Sequence, residues 1–230
     1  MSPSETRKVQ GESTEILIDC KDLTFKEVNS KIRDAVDKGL KVTLLNAEHL
    51  YGLAAGLQGG EITIKSSVGD YIGLLNAGAK IVIEGDAGDF IGDNSWKGEI
   101  RVKGNAGYGA GIYSYGGNLI IYGDAGDAAG QLFKGGTLIV KGNVGDVVGL
   151  YMVGGEIVVV GDAGRELGDY MIRGTIYLRG ECKSLGHNTK YDKLVGEDLS
   201  RLNSLLEKYS IEAKADEFKK IVPLSKNPFG

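Results

Sequence analysis

The segment GDAGDFIG at residues 85–92 returns as GNAGYGAG at 104–111, GDAGDAAG at 123–130, GNVGDVVG at 142–149 and GDAGRELG at 161–168. Each copy begins nineteen residues after the last and keeps glycine at its first, fourth and eighth places. Those glycines are Gly85, Gly88 and Gly92; Gly104, Gly107 and Gly111; Gly123, Gly126 and Gly130; Gly142, Gly145 and Gly149; and Gly161, Gly164 and Gly168. A degenerate copy precedes them (Ser66, Val68, Gly69, Gly73), and the frame runs from about Ala47 to Gly180. Self-similarity at a fixed period of this length is the mark of a solenoid, in which each repeat is one unit stacked on its neighbours.

Counted from the first glycine, position sixteen reads Ile62, Ile81, Ile100, Leu119, Leu138, Ile157 and Ile176, and position eighteen reads Ile64, Ile83, Val102, Ile121, Val140, Val159 and Leu178. Two wholly apolar columns two residues apart share one face of a strand. Positions three (Val68, Ala87, Ala106, Ala125, Val144, Ala163, Cys182) and seven (Ile72, Ile91, Ala110, Ala129, Val148, Leu167) add small or apolar inward ladders. Positions seventeen and nineteen are mixed and face outward. The expectation is an all-β fold, a single-stranded right-handed parallel β-helix with nineteen-residue coils, each holding two or three short strands. A leucine-rich repeat lacks support in its Leu/Asn signature, and so much glycine disfavours a helical repeat. Glycine makes up 37 of 230 residues, an excess read here as corner chemistry, since glycine alone takes positive φ without steric cost.

Position two alternates between acid and amide: Ser67, Asp86, Asn105, Asp124, Asn143, Asp162. Identical positions in a parallel stack lie ~4.8 Å apart, where two carboxylates repel by roughly 1 kcal/mol even in water. Alternation with asparagine doubles the charge spacing. A calcium ladder needs six to eight oxygens per ion, more than one side chain per coil supplies, so the structural reading is favoured and no metal ligand set is assigned.

Residues 1–46 read as an N-terminal cap: a polar leader, a strand at Glu15–Asp19, a helix opened by a capping box of Thr24 and Glu27, a stop at Gly39 and a strand at Val42–Leu45. The β-helix occupies 47–187. Residues 188–230 read as a helix from Asp198 to about Tyr209, with Leu199, Leu202, Leu205 and Leu206 on one face, followed by an extended tail, Phe218–Gly230. The net charge of -4 with mixed signs offers no basic face for nucleic acid. The opening MSPSETRKVQGEST has no apolar core of the kind a signal peptide or membrane span carries. Cys20 and Cys182 fall in the cap and the last coil, beyond disulfide reach, which fits a reduced, cytoplasmic setting.

The chain offers little catalytic vocabulary. His49 and His187 lie at opposite ends of the rod with no ligand neighbours at metal spacing, and there is neither a G-x-S-x-G elbow nor a G-x-x-x-x-G-K-[ST] loop. No catalytic, cofactor-binding or metal residue is assigned. A polysaccharide-cleaving groove would need clustered carboxylates, whereas Asp86, Asp124, Asp162 and the position-five set Asp70, Asp89, Asp127 and Asp146 form regular ladders.

The fifteen repeat glycines resemble the GXGXG-type β-helix domain that ends the large (α) subunit of glutamate synthase, and they are also similar to the glycine-repeat subunit of formylmethanofuran dehydrogenase. The opening IDCKDLTFKEVNSKIRDAVDKGLKVTLLNA resembles the front of stand-alone, archaeal-type versions of that domain. The resemblance covers roughly residues 15–185. It implies a non-catalytic spacer in a glutamate synthase-like oxidoreductase of glutamate biosynthesis, packed between a glutaminase and an FMN/iron–sulfur synthase component. FMN and iron–sulfur clusters would then sit in partner subunits, with none in this chain. The alternatives are the formylmethanofuran dehydrogenase subunit and a free-standing polysaccharide enzyme.

One surface stands out as a candidate interface. The outward column turns apolar in later coils, at Ile120, Ile139, Val158 and Tyr177, flanked by Tyr122 and Val160. Such a strip marks a contact surface. It is filled either by another chain, self-association included, or by the chain's own C-terminal segment around Phe218, Ile221 and Val222.

Overall fold

A computed structural model describes residues 14–228; the polar leader at 1–13 and the last two residues lie outside the described part. β1 (Glu15–Asp19), α1 (Phe25–Asp37) and β2 (Lys41–Leu45) form the expected strand–helix–strand entry, with β1 and β2 parallel. Thr24 caps α1 through a reciprocal capping box with Glu27. Val28, Ile32 and Ala35 bury one face of the helix, and Gly39 ends the turn at φ 73. The entry is also part of the solenoid, because β2 pairs with β3 (Glu61–Ile64) as its first rung.

The parallel ladder then adds one strand per coil: β4 (Ala77–Ile83), β5 (Lys97–Val102), β6 (Asn118–Ile121), β7 (Thr137–Val140), β8 (Val153–Val159) and β9 (Arg173–Leu178). The register joins Ile62, Ile81, Ile100, Leu119, Leu138, Ile157 and Ile176 across successive rungs, and Ile64 through Leu178 likewise. Both columns are buried throughout, so this is a parallel β-helix with the strand phase that the sequence predicts. The remaining sides of each coil differ from the expected extra strands. Position three makes only single-residue bridges, from Val68 through Ala87, Ala106, Ala125, Val144 and Ala163 to Cys182.

The glycines need a different explanation from the one their abundance suggests. Of the three repeat glycines in each block, only the last has positive φ, between 67 and 75 at Gly92, Gly111, Gly130, Gly149 and Gly168. The first and fourth places are glycine because the coil below leaves no room. A Cβ added at Gly104, Gly142 or Gly164 would lie 2.2 Å from Oδ1 of Asp86, Asp124 or Asp146. Meanwhile bulky residues occupy left-handed corners, among them Tyr71, Phe90, Tyr113 and Tyr151 at φ 54 to 59. Each such corner costs about 1–2 kcal/mol of backbone strain, which the stacked coils hold in place.

The C-terminal region departs from the sequence reading. α2 (Gly196–Lys208) is present, but the segment read as an extended tail contains β11 (Lys219–Pro223). β11 runs antiparallel between β9 and β10 (Thr189–Asp192), and it closes the exposed edge of the last coil with Ile221 in the core. Val140 is fully buried whereas Thr63 is not. Val140→Asp should therefore unfold the protein or lower its melting temperature drastically, because an unpaired carboxylate would enter an apolar ladder. Thr63→Asp should shift the melt by only a few degrees. A thermal melt that ranks the two variants the other way would contradict the strand phase.

Candidate functional site

The repeated polar groups are the natural place to look for chemistry, and they are engaged with the backbone. Asp86 Oδ1 accepts the N–H of Asn105 at 2.7 Å, and Asn105 Oδ1 accepts that of Asp124 at 2.8 Å. Asp124 accepts from Asn143 at 2.7 Å, Asn143 from Asp162 at 2.8 Å, and Asp162 from Glu181 at 2.8 Å. A second ladder runs through position five: Asp70 accepts from Asp89, Asp89 from Tyr108, Asp127 from Asp146 and Asp146 from Arg165, at 2.7–2.8 Å. The Arg165 N–H and guanidinium together hold the Asp146 carboxyl below its ordinary pKa. Aspartate and asparagine offer the same Oδ1 acceptor, so the alternation preserves the ladder while diluting its charge. Among the described residues no three His, Cys, Asp or Glu side chains come together as a metal site.

The other reactive side chains are separate. Cys20 and Cys182 are both free thiols; burial pushes the Cys20 thiol up to about 11. His49 Nε2 lies 3.3 Å from the Leu23 carbonyl. A pair that the sequence reading missed joins His187 Nδ1 to Asp169 Oδ1 at 2.9 Å, with the ring stacked on Tyr170. No serine or cysteine side chain hydrogen-bonds to that imidazole among the described residues, so the pair lacks a nucleophile. The eighteen-residue spacing of Asp169 and His187 falls out of phase with the repeat, which is why no column showed them.

The candidate interface strip is not on the surface. Ile120, Ile139 and Val158 are fully buried and Tyr177 is nearly so, beneath Leu202, Leu205, Leu206 and Tyr209 together with Ile211, Ala215 and Phe218. Tyr122 and Val160 pack at the edge of this second core. The strip is thus covered by the chain's own C-terminal segment. Phe218 belongs to that cover, while Ile221 is part of the main core.

Polar contacts frame the cover. Arg201 pairs with Glu156, and Tyr209 Oη donates to Glu99 Oε2 at 3.0 Å. At the start of α2, Asp198 accepts from the Val195 N–H, from Tyr177 Oη at 2.8 Å and from Lys220 Nζ at 2.9 Å. These groups tie the helix to β9 and β11. Burial pushes the Asp198 carboxyl up, but the Val195 N–H, the Lys220 ammonium and the Tyr177 hydroxyl outweigh it, and its pKa is held below the usual value. A depressed folded-state pKa contributes stability that is present above the unfolded value of about 3.9 and is lost as pH falls through the folded value. Acid below about pH 4 should therefore loosen α2. Asp198→Asn should destabilise the cover by roughly 1–3 kcal/mol near neutral pH and flatten that acid response. Hydrogen exchange of the α2 amides against pH checks this; an unchanged acid limb in the variant would contradict it.

No helix among the described residues is long and apolar enough to cross a membrane. No curated protein matches the chain. The model of the GXGXG motif family matches residues 54–223, from the first coil through β11. With well over half of its length matched, the chain belongs to the GXGXG motif family.

Proposed function

We propose that this chain is a non-catalytic assembly subunit of a glutamate synthase-like oxidoreductase, a rigid spacer holding glutaminase and FMN/iron–sulfur synthase components. Family membership supports the glutamate synthase relation. The observation that carries the spacer role is the use of the repeated carboxylates. Asp86, Asp124, Asp162 and the position-five acids each accept a neighbouring coil's N–H, so the groups that could have formed an acid/base pair serve the coil stacking. A rod locked at every rung suits fixed spacing between partners better than turnover. FMN, iron–sulfur clusters and the glutaminase nucleophile would reside in those partners, in a cytoplasmic complex.

Affinity purification of the tagged chain from its native cell tests this. The expected eluate contains a glutaminase and a subunit with stoichiometric FMN and iron, while the isolated chain binds no chromophore and hydrolyses no glutamine. Molybdenum- or tungsten-containing partners would replace the reading with a formylmethanofuran dehydrogenase-type complex. Polysaccharide cleavage by the isolated chain, abolished by one point substitution, would overturn the spacer role.

A further inference from the structure

With the C-terminal segment covering the apolar strip of the later coils, exposed apolar side chains remain on other sides of the rod, Tyr71 and Tyr108 in one row and four more in another. Leu75, Trp96, Tyr113 and Tyr115 remain 48%, 54%, 40% and 42% exposed. They occupy positions ten and twelve of three successive coils, so they form one surface patch. Trp96 and Tyr115 stack face to face at 4.3 Å, and the Lys134 ammonium caps Tyr115 at 3.9 Å from its ring centre while reaching toward Tyr113 at 6.0 Å. Stacking between coils accounts for the ring pairing but leaves about half of each ring in water. Leu75 and Tyr113 sit in the left-handed corner that position ten adopts in every coil, as Asn94, Leu132, Tyr151 and Tyr170 also do, so the backbone fixes where these side chains stand. Their exposure as a contiguous apolar group is what marks a contact surface.

We propose that this patch docks a partner protein whose contact surface has an apolar centre and a carboxylate rim. This rests on the assembly reading above and names the surface through which one component is held. Charge decides the occupant. Lys97 and Lys134 border the patch, and neither has a carboxylate within ion-pair distance among the described residues, in a chain whose net charge is -4. The chain's own residues 1–13 are a poor complement: their two acids are balanced by two bases, and Met1 and Val9 are their only large apolar side chains. A second copy is also disfavoured. Two-fold pairing would set the patch and its lysines against themselves, and pairing with the partly exposed Tyr71–Phe90–Tyr108 row beside Asp70 and Asp89 would be head-to-tail, propagating into a ring or open filament instead of closing a dimer. Trp96 and the tyrosines match the aromatic anchors of a binding hot spot, and Lys97 and Lys134 fit the polar rim around one, where complementary charge sets the partner's orientation.

The test mixes the purified full chain with the glutaminase and the FMN/iron–sulfur synthase subunits, and measures affinity by calorimetry and assembly by light scattering at low and moderate salt. Trp96→Ser combined with Lys134→Glu is compared with Lys141→Glu on another exposed position, each variant checked for an unchanged melt. If melting shows the double variant destabilised, Lys97→Glu with Lys134→Glu replaces it. The expected result is at least a 30-fold weaker complex with one subunit for the patch variant, no change for Lys141→Glu, and wild-type binding that weakens with salt. Equal binding by wild type and patch variants would overturn the patch while leaving the assembly reading standing. Concentration-dependent self-association abolished by the patch variant would assign the surface to a second copy instead and overturn the hetero-partner. Failure of the wild-type chain to bind either subunit would overturn the assembly reading together with the occupant named here.

Discussion

The structure depends on one hydrogen bond repeated from coil to coil: a side-chain Oδ1 at a corner accepting the N–H of the residue directly above it. That bond works only if the corner above approaches closely, and the approach leaves no space for a Cβ at the residue preceding the donor. From Gly104 on, the first glycine of each block is therefore the counterpart of the aspartate or asparagine eighteen residues earlier, as the 2.2 Å separation of an added Gly142 Cβ from Asp124 Oδ1 makes concrete. Sequence motif and hydrogen-bond ladder are two views of one steric constraint. Once the corners are locked at this spacing, the Ile, Leu and Val columns fall into register and fill the interior.

Most of the fold was legible because those columns do not depend on what lies outside the rod. Positions sixteen and eighteen face inward in every coil, so the 3.6- or 2-residue question reduces to reading two apolar columns. Position eleven carries no legible column because its inward residues are Asn76, Ser95, Ser114, Phe133, Met152 and Met171, polar in early coils and apolar later. The polar members are accommodated by local bonds, such as Ser95 Oγ donating to the Gly92 carbonyl at 2.8 Å. β11 was hidden because KKIVP is short, ends in proline and has one core residue, Ile221, so its pairing is set by the open edge of β9 more than by its own pattern. The first and fourth glycines invite a positive-φ reading for a related reason. A close approach between coils leaves the same trace in a sequence as a positive φ does.

The apolar strip illustrates the limit of reading a surface one column at a time. Its change of polarity along the rod is visible, but the segment that covers it, Leu202–Phe218, begins only after the last coil, beyond β10. Arg201, Tyr209 and Asp198 meet Glu156, Glu99 and Tyr177 across 45, 110 and 21 residues of sequence, contacts without a local signature. The resulting rod has differentiated faces: a sheet face whose apolar later coils are sealed by its own helix, acidic corners bonded to backbone, and aromatic rows still exposed. A body of that kind is suited to holding other components at fixed separations, and its surfaces carry the specificity that its interior, repeated coil after coil, does not.

The most direct measurement of the account is residue-resolved hydrogen exchange at the corner amides in the wild type, Asp124→Ala and Asp124→Asn. The ladder predicts that the Asn143 amide, bonded to Asp124 Oδ1, is protected in the wild type to a degree comparable with neighbouring strand amides. Asp124→Ala should lose most of that protection and about 1–2 kcal/mol of stability, while Asp124→Asn retains both because it keeps the acceptor. An Asn143 amide that exchanges freely in the wild type, or is equally protected in Asp124→Ala, would contradict the claim that these side chains hold the coils together.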